Sequence, residues 1–230
     1  MHERLPRIFV GYDPSEAIAY HVFCESLISV CRLPLTITPL ALNNLTSIYS
    51  EQHLDGSNQF IYSRFLVPFL SGFSGQSIFF DGDMIAQCDP IELLEFINAE
   101  EAVSVVQHDY RTKFPIKYFG NANQDYPRKN WSSVIIFNNS HPSNRVLTPE
   151  FVKKQPGSYL HRFEWLNERE IGNIPTQYNW LVNEYSANPD AQVLHYTLGI
   201  PCIRGFQDSD CADIWYEHFT RLHRGVSDEQ

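Results

Sequence analysis

The residues with most chemical content are an acidic pair. Asp81 and Asp83 follow the apolar run Ile78-Phe79-Phe80, with only Gly82 between them. Side chains alternate along an extended chain, so the two carboxylates point the same way. Like charges that close repel unless a cation joins them. Hard oxygen ligands suit Mg²⁺ or Mn²⁺, usually shared with phosphate oxygens. Gly82 allows a ligand to approach the backbone closely. Two other readings of Asp-Gly-Asp stay open at this point. One is a surface turn. The other is a phosphohydrolase whose first aspartate is the nucleophile, although Met84-Ile85 stands where such a motif continues with glycine and threonine.

Three further residues have chemistry to offer. Arg64 presents a planar fork that can hold a carboxylate or phosphate on two bonds. His195 ends the apolar run Val193-Leu194; alone, it reads equally as a core histidine. Asp13 precedes Pro14 and reads first as a helix cap.

Elements must position these groups. Residues 7–12, 35–42, 77–81, 102–107, 133–137 and 192–195 read as strands. Residues 16–30 carry apolar side chains at helical spacing, as do 210–221. Residues 61–70 read as a helix kinked or ended near Pro68, and Asp89-Pro90 starts another over 91–97. Strands alternating with helices predict an α/β fold with a mixed, mostly parallel sheet. In such sheets ligands bind beyond the carboxyl ends of the strands, where Asp81 and Asp83 lie. The polar segment 109–129 lacks strong elements and reads as a functional loop or small subdomain.

Composition bounds the class. The chain has 230 residues, 43% of them hydrophobic, and a net charge of −10. That length and balance predict one globular domain and exclude a general nucleic-acid binder. The five cysteines are scattered with no Cys-x-x-Cys pair, and the opening residues contain no apolar signal core. A reduced, cytoplasmic setting is the expectation. No run reaches the ~18 apolar residues of a membrane span, so no integral membrane segment is expected.

Several motifs occur in a fixed order: Tyr62-Ser63-Arg64-Phe65, then Ile78-Phe79-Phe80-Asp81-Gly82-Asp83-Met84-Ile85, then Trp131-Ser132-Ser133-Val134. Ile174-Pro175 with Tyr178-Asn179 follows, and last His195-Tyr196-Thr197-Leu198-Gly199. Together they resemble the retaining glycosyltransferases of family eight, the glycogenin-like and lipopolysaccharide-galactosyltransferase-like group. The resemblance implies a single GT-A (Rossmann-like) domain over residues 1–230. It implies transfer of a sugar, with retention, from a nucleotide-diphosphate sugar to a glycan or lipid-linked acceptor. A UDP-sugar is the expected donor.

By that resemblance Asp81, Asp83 and His195 hold Mn²⁺ (or Mg²⁺), and the metal holds the donor diphosphate. Tyr12, Asp13, Tyr62, Arg64, Gly82, Trp180 and Gly199 join Asp81 around the nucleotide sugar. Glu164, Gln177 and Asn179 are the candidates beside the transferred sugar. The Glu164 assignment assumes that Phe163-Glu164-Trp165 is extended, so that Glu164 faces the ligand while its neighbours pack.

The chain departs from the family in places. No lysine follows His195, and Arg204 is the nearest substitute. Trp131-Ser132-Ser133 replaces the acceptor-side motif, and the family's Asp-Gln pair has no clear counterpart. Two alternatives stand beside the transferase. One is a sugar nucleotidyltransferase, although residues 11–20 lack its Gly-rich basic loop. The other is a catalytically inactive sugar-nucleotide or glycan-binding module.

Overall fold

The computed structural model describes residues 7–53 and 58–223. A six-stranded sheet organises it. In chain order its strands are β1 (Arg7–Gly11), β2 (Thr36–Leu40), β3 (Gln76–Phe80), β5 (Val103–Val105), β6 (Val134–Asn138) and β7 (Ile171–Asn173). Across the sheet they run β2-β1-β3-β6-β5-β7. β1 is parallel to β2 and β3, and β5 is parallel to β7; only β6 opposes its neighbours. The sheet is therefore mixed and mostly parallel, as the alternating pattern predicts, and the fold is of the α/β class.

The central strands carry the continuous apolar runs Ile8–Val10, Ile78–Phe80 and Val134–Phe137 because both faces are covered there. Phe9, Phe79, Ile135 and Phe137 pack on one side with Phe65, Phe163 and Leu160. Ile8, Val10, Ile78 and Phe80 pack on the other with Phe23 and Leu27 of the helix Ala17–Val30. Parallel β1, β2 and β3 bring their carboxyl ends to one edge, where residues 11–13 and 81–83 meet.

A second, three-stranded sheet seats against that edge. It comprises β4 (Met84–Ala86), β8 (Trp180–Leu181) and β9 (Val193–His195), in the order β4-β9-β8. β4 and β9 are antiparallel, with Met84 opposite His195. The Tyr196 amide donates to the Asp83 carbonyl at 2.9 Å. This register carries a residue more than a hundred positions downstream to the acidic pair.

Several expected elements differ in detail. Residues 61–70 form two short turns, Ser63–Leu66 and the Pro-started Val67–Leu70, instead of one helix. Pro90–Phe96 is 3₁₀ rather than α. Strands β4, β7 and β8 are two or three residues long, too short for periodicity to show. Among the described residues no helix is long and apolar enough to cross a membrane.

Candidate functional site

The carboxyl ends of β1 and β3 open into a cavity of about 620 Å³. Its floor holds Asp81, Asp83 and His195, and one ligand atom from each lies within 4.8 Å of the others. His195 Nε2 is 3.2 Å from Asp83 Oδ1 and 3.9 Å from Asp81 Oδ2. Burial pushes the Asp81 carboxyl up to about 6, against the opposing pull of Arg64. Burial also pushes Asp83 upward, but His195 beside it outweighs this and holds it below the ordinary value.

The other nitrogen of His195 is fixed. Asn179 donates from Nδ2 to Ser133 Oγ at 2.8 Å, which leaves its Oδ1 to face the ring. His195 Nδ1 lies 2.9 Å from that Oδ1 and must be the donor. Nε2 is therefore the nitrogen aimed at the two carboxylates. Two carboxylates and one oriented imidazole nitrogen make a suitable donor set for Mn²⁺ or Mg²⁺.

Arg64 closes the far side of Asp81. It is 3% exposed, its Nη1 sits 2.7 Å from Asp81 Oδ1, and it donates to the Ser132 carbonyl at 2.8 Å. Its guanidinium also lies over the rings of Phe60 and Phe79, at 5.3 and 4.9 Å. Flat aromatic faces suit a weakly hydrated guanidinium. Arg64 thus orients Asp81 while still lining the cavity.

Asp13, Tyr62 and Gly82 also line the cavity. Asp13 is the cap that the Asp-Pro pair suggested: its Oδ1 accepts from the Ser15 amide and its Oδ2 from the Gln59 amide, each at 2.9 Å. Tyr62 stacks on His53, with ring centroids 3.6 Å apart. A side chain at position 82 would lie 2.4 Å from the Gly11 carbonyl oxygen. The tight approach at Gly82 is therefore to the end of β1.

Other expected residues fall outside the cavity lining. The Tyr12 ring packs edge-on against Tyr20. Trp180 packs against Tyr185. At Gly199, with φ of +148°, a Cβ would strike the Phe206 ring. The Gln177 carbonyl accepts from the Gln192 amide, a structural contact. Arg204 is exposed and outside the lining. The stretch Phe163-Glu164-Trp165 is not extended: Phe163 has φ of +55° and the Glu164 amide turns back to the Tyr159 carbonyl. Phe163 and Trp165 pack into the core, while Glu164 faces solvent, 3.8 Å from Arg162. The turn, not an alternating strand, sets its direction.

Three lining residues were not singled out by sequence reasoning. Lys117 reaches in from the 109–129 segment, its Nζ 3.5 Å from Thr197 Oγ1. Burial lowers its pKa, and Asp83 and Asp81 oppose that shift. Glu16 is pushed up to about 8, chiefly by burial and next by Asp83. His161 is 2.6 Å from Ser132 Oγ, and burial pulls it down to about 3, so the ring is neutral. The only signal for Lys117 was the loop-like character of its segment.

No family model matches the chain. Protein CDI of Arabidopsis thaliana is 40% identical over 226 residues, covering 95% of this chain and 87% of that protein. Among solved structures, the apo form of the bifunctional glycosyltransferase WbbM superposes with a TM-score of 0.66 at 14% identity. That match covers 95% of this chain, which spans only 50% of WbbM's chain. The galactosyltransferase LgtC, solved with donor and acceptor sugar analogues, gives a TM-score of 0.53 at 8% identity, covering 94% of this chain and 95% of the other. These superpositions show the GT-A fold that the ordered motifs implied.

Proposed function

Since the chain belongs to the family of Arabidopsis thaliana Protein CDI and has a GT-A fold, we propose that it is a glycosyltransferase using a nucleotide-diphosphate sugar. The observation that carries this reading is the Asp81–Asp83–His195 cluster on the floor of a cavity at the sheet's carboxyl edge. Those three residues would hold a divalent cation, Mn²⁺ or Mg²⁺. When bound, such a cation neutralises charge that builds on a departing diphosphate.

The chain's own groups supply the rest. Asn179 holds His195 in one tautomer, and Arg64 holds Asp81 in place, so the ligand set is organised before a cation arrives. Lys117 supplies a positive charge from the 109–129 segment, 3.5 Å from Thr197 Oγ1, in a chain with no lysine after His195. Its ammonium suits a diphosphate oxygen. Asp13, just past β1, Glu16 in the turn that follows and Tyr20 on the helix Ala17–Val30 line the cavity and would flank the nucleoside. Ser132, His161 and Arg162 also line the cavity and would face the sugar and acceptor. Glu164 takes no part in this reading. Retention of configuration and a UDP-linked donor are the expected specifics.

The test is turnover with a panel of nucleotide sugars in Mn²⁺. Release of the nucleoside diphosphate from one donor, with a glycosidic product of unchanged anomeric configuration, supports the reading. Pyrophosphate-dependent exchange would make the protein a sugar nucleotidyltransferase. Saturable donor binding with no turnover would make it a binding module.

A further inference from the structure

Lys129 is a cation in the cavity wall whose partners are incomplete. It lines the cavity, yet it is only 5% exposed. Its Nζ donates to Asn123 Oδ1 at 2.6 Å and to the Gln124 carbonyl at 2.8 Å. Both acceptors are neutral, and an ammonium has three N–H donors. The same Nζ lies 5.7 Å from the centre of the Tyr126 ring.

No carboxylate among the described residues forms an ion pair with Lys129 within 4.0 Å. Glu184 reaches it only through Asn123, whose Nδ2 donates to Glu184 Oε1 at 3.0 Å. The other oxygen of Glu184 accepts from the Lys113 amide at 2.8 Å. Asp125 is exposed and accepts from the Thr112 amide at 3.0 Å. Burial pulls the Lys129 pKa down to about 8 and Lys117 adds to that, while Asp125 and Glu184 oppose it. The group therefore still carries its charge at neutral pH. A buried charge is costly unless an opposite charge meets it.

Charge in the cavity is divided. Its four lining carboxylates, Asp13, Glu16, Asp81 and Asp83, all come from residues 13–16 and 81–83. The lining residues between 117 and 162 include Lys117, Lys129 and Arg162 but no carboxylate. Arg162 already has Glu164 at 3.8 Å, and Lys117 suits the donor diphosphate. Lys129 is the cation left without an anion. Among the charged groups around it, Lys117 acts on it most strongly. Burial raises the pKa of the neighbouring Tyr126 hydroxyl, which Arg64 and Asp81 also influence in opposite senses. These couplings put Lys129 near the diphosphate end of the site, where the transferred sugar is attached.

We propose that Lys129 is a specificity residue that meets a carboxylate on the transferred sugar, so that the donor carries a hexuronate and not a neutral hexose. This rests on the glycosyltransferase reading above. A site with a buried polar group aimed at one substrate group rejects the analogue that lacks it, because the protein group is then left unmatched. A hexuronate and its hexose differ only at carbon 6, carboxylate against hydroxymethyl, so the pair isolates this contact.

The test is titration calorimetry of the whole chain in Mn²⁺ with UDP, UDP-glucose, UDP-galactose, UDP-glucuronate and UDP-galacturonate. One UDP-hexuronate should bind about tenfold or more tightly than its neutral counterpart. Lys129→Met should abolish that preference. Lys129→Gln, which keeps a donor for Asn123 Oδ1 and deletes only the charge, should abolish it too. Equal binding of acidic and neutral sugars by the wild type would overturn the proposal, as would a preference that survives in the folded variants. A loss of UDP affinity in the variants as large as their loss of UDP-hexuronate affinity would also overturn it, assigning Lys129 to the diphosphate. A wild type that binds no UDP in Mn²⁺ would sink the glycosyltransferase reading as well. UDP binding without an acidic preference would sink this inference alone.

Discussion

His195 and Asn179 are joined by a 2.9 Å hydrogen bond deep beneath the cavity, from ring Nδ1 to the amide Oδ1. Both residues are essentially buried. The bond decides which imidazole nitrogen faces Asp81 and Asp83. Asn179 can make it only because its own amide nitrogen is held by Ser133.

Asn179→Leu removes the acceptor at similar volume. Loss of such an orienting partner typically lowers metal affinity about 10–100-fold. Calorimetric titration of the folded variant with Mn²⁺ should show that drop. Wild-type affinity would reduce Asn179 to a packing residue.

Lys117→Met keeps the aliphatic stem and deletes the ammonium. A lost charge-assisted hydrogen bond costs about 1.5–3 kcal/mol, so UDP affinity should fall about 10–100-fold. UMP, with one phosphate fewer, should lose less. An equal loss for UDP and UMP would move Lys117 away from the terminal phosphate.

Glu16 gives a pH signature in the ligand-free protein. Its carboxyl is raised from an ordinary 4.5 to about 8. Between those values the folded state keeps a proton that the unfolded state has released. The stability it contributes is full below 4.5 and is lost as pH rises through about 8. Glu16→Gln cannot ionise, so its thermal midpoint should exceed that of the wild type above pH 8. The gap should close below pH 4.5. A constant gap across that range would show that Glu16 is not the group responsible.

Much of this architecture was legible from residues. The apolar runs at Ile8–Val10, Ile78–Phe80 and Val134–Phe137 are buried on both faces, so their strand character is written in composition alone. Asp81 and Asp83 stand two positions apart, so their pairing was visible. His195 was not readable by itself; the ordered motifs suggested it, and the Met84–His195 register explains its position. Glu164 misled because a triplet flanked by aromatics looks alternating, whereas Phe163 in a left-handed conformation turns the chain. Lys117 was hidden because it reaches the cavity through a hairpin fixed by long-range contacts to Leu198 and Glu184. No local pattern encodes contacts of that separation.

The central claim is that Asp81, Asp83 and His195 together hold a divalent cation that in turn holds a nucleoside diphosphate. The most direct measurement is UDP affinity by titration calorimetry, in Mn²⁺ and again in excess chelator, for wild type and Asp83→Asn. The expected result is strong binding by the wild type in Mn²⁺, a large loss in chelator, and weak, metal-insensitive binding by a folded Asp83→Asn. Equal wild-type affinity with and without metal would contradict the claim and leave Asp-Gly-Asp as a turn at the end of a strand.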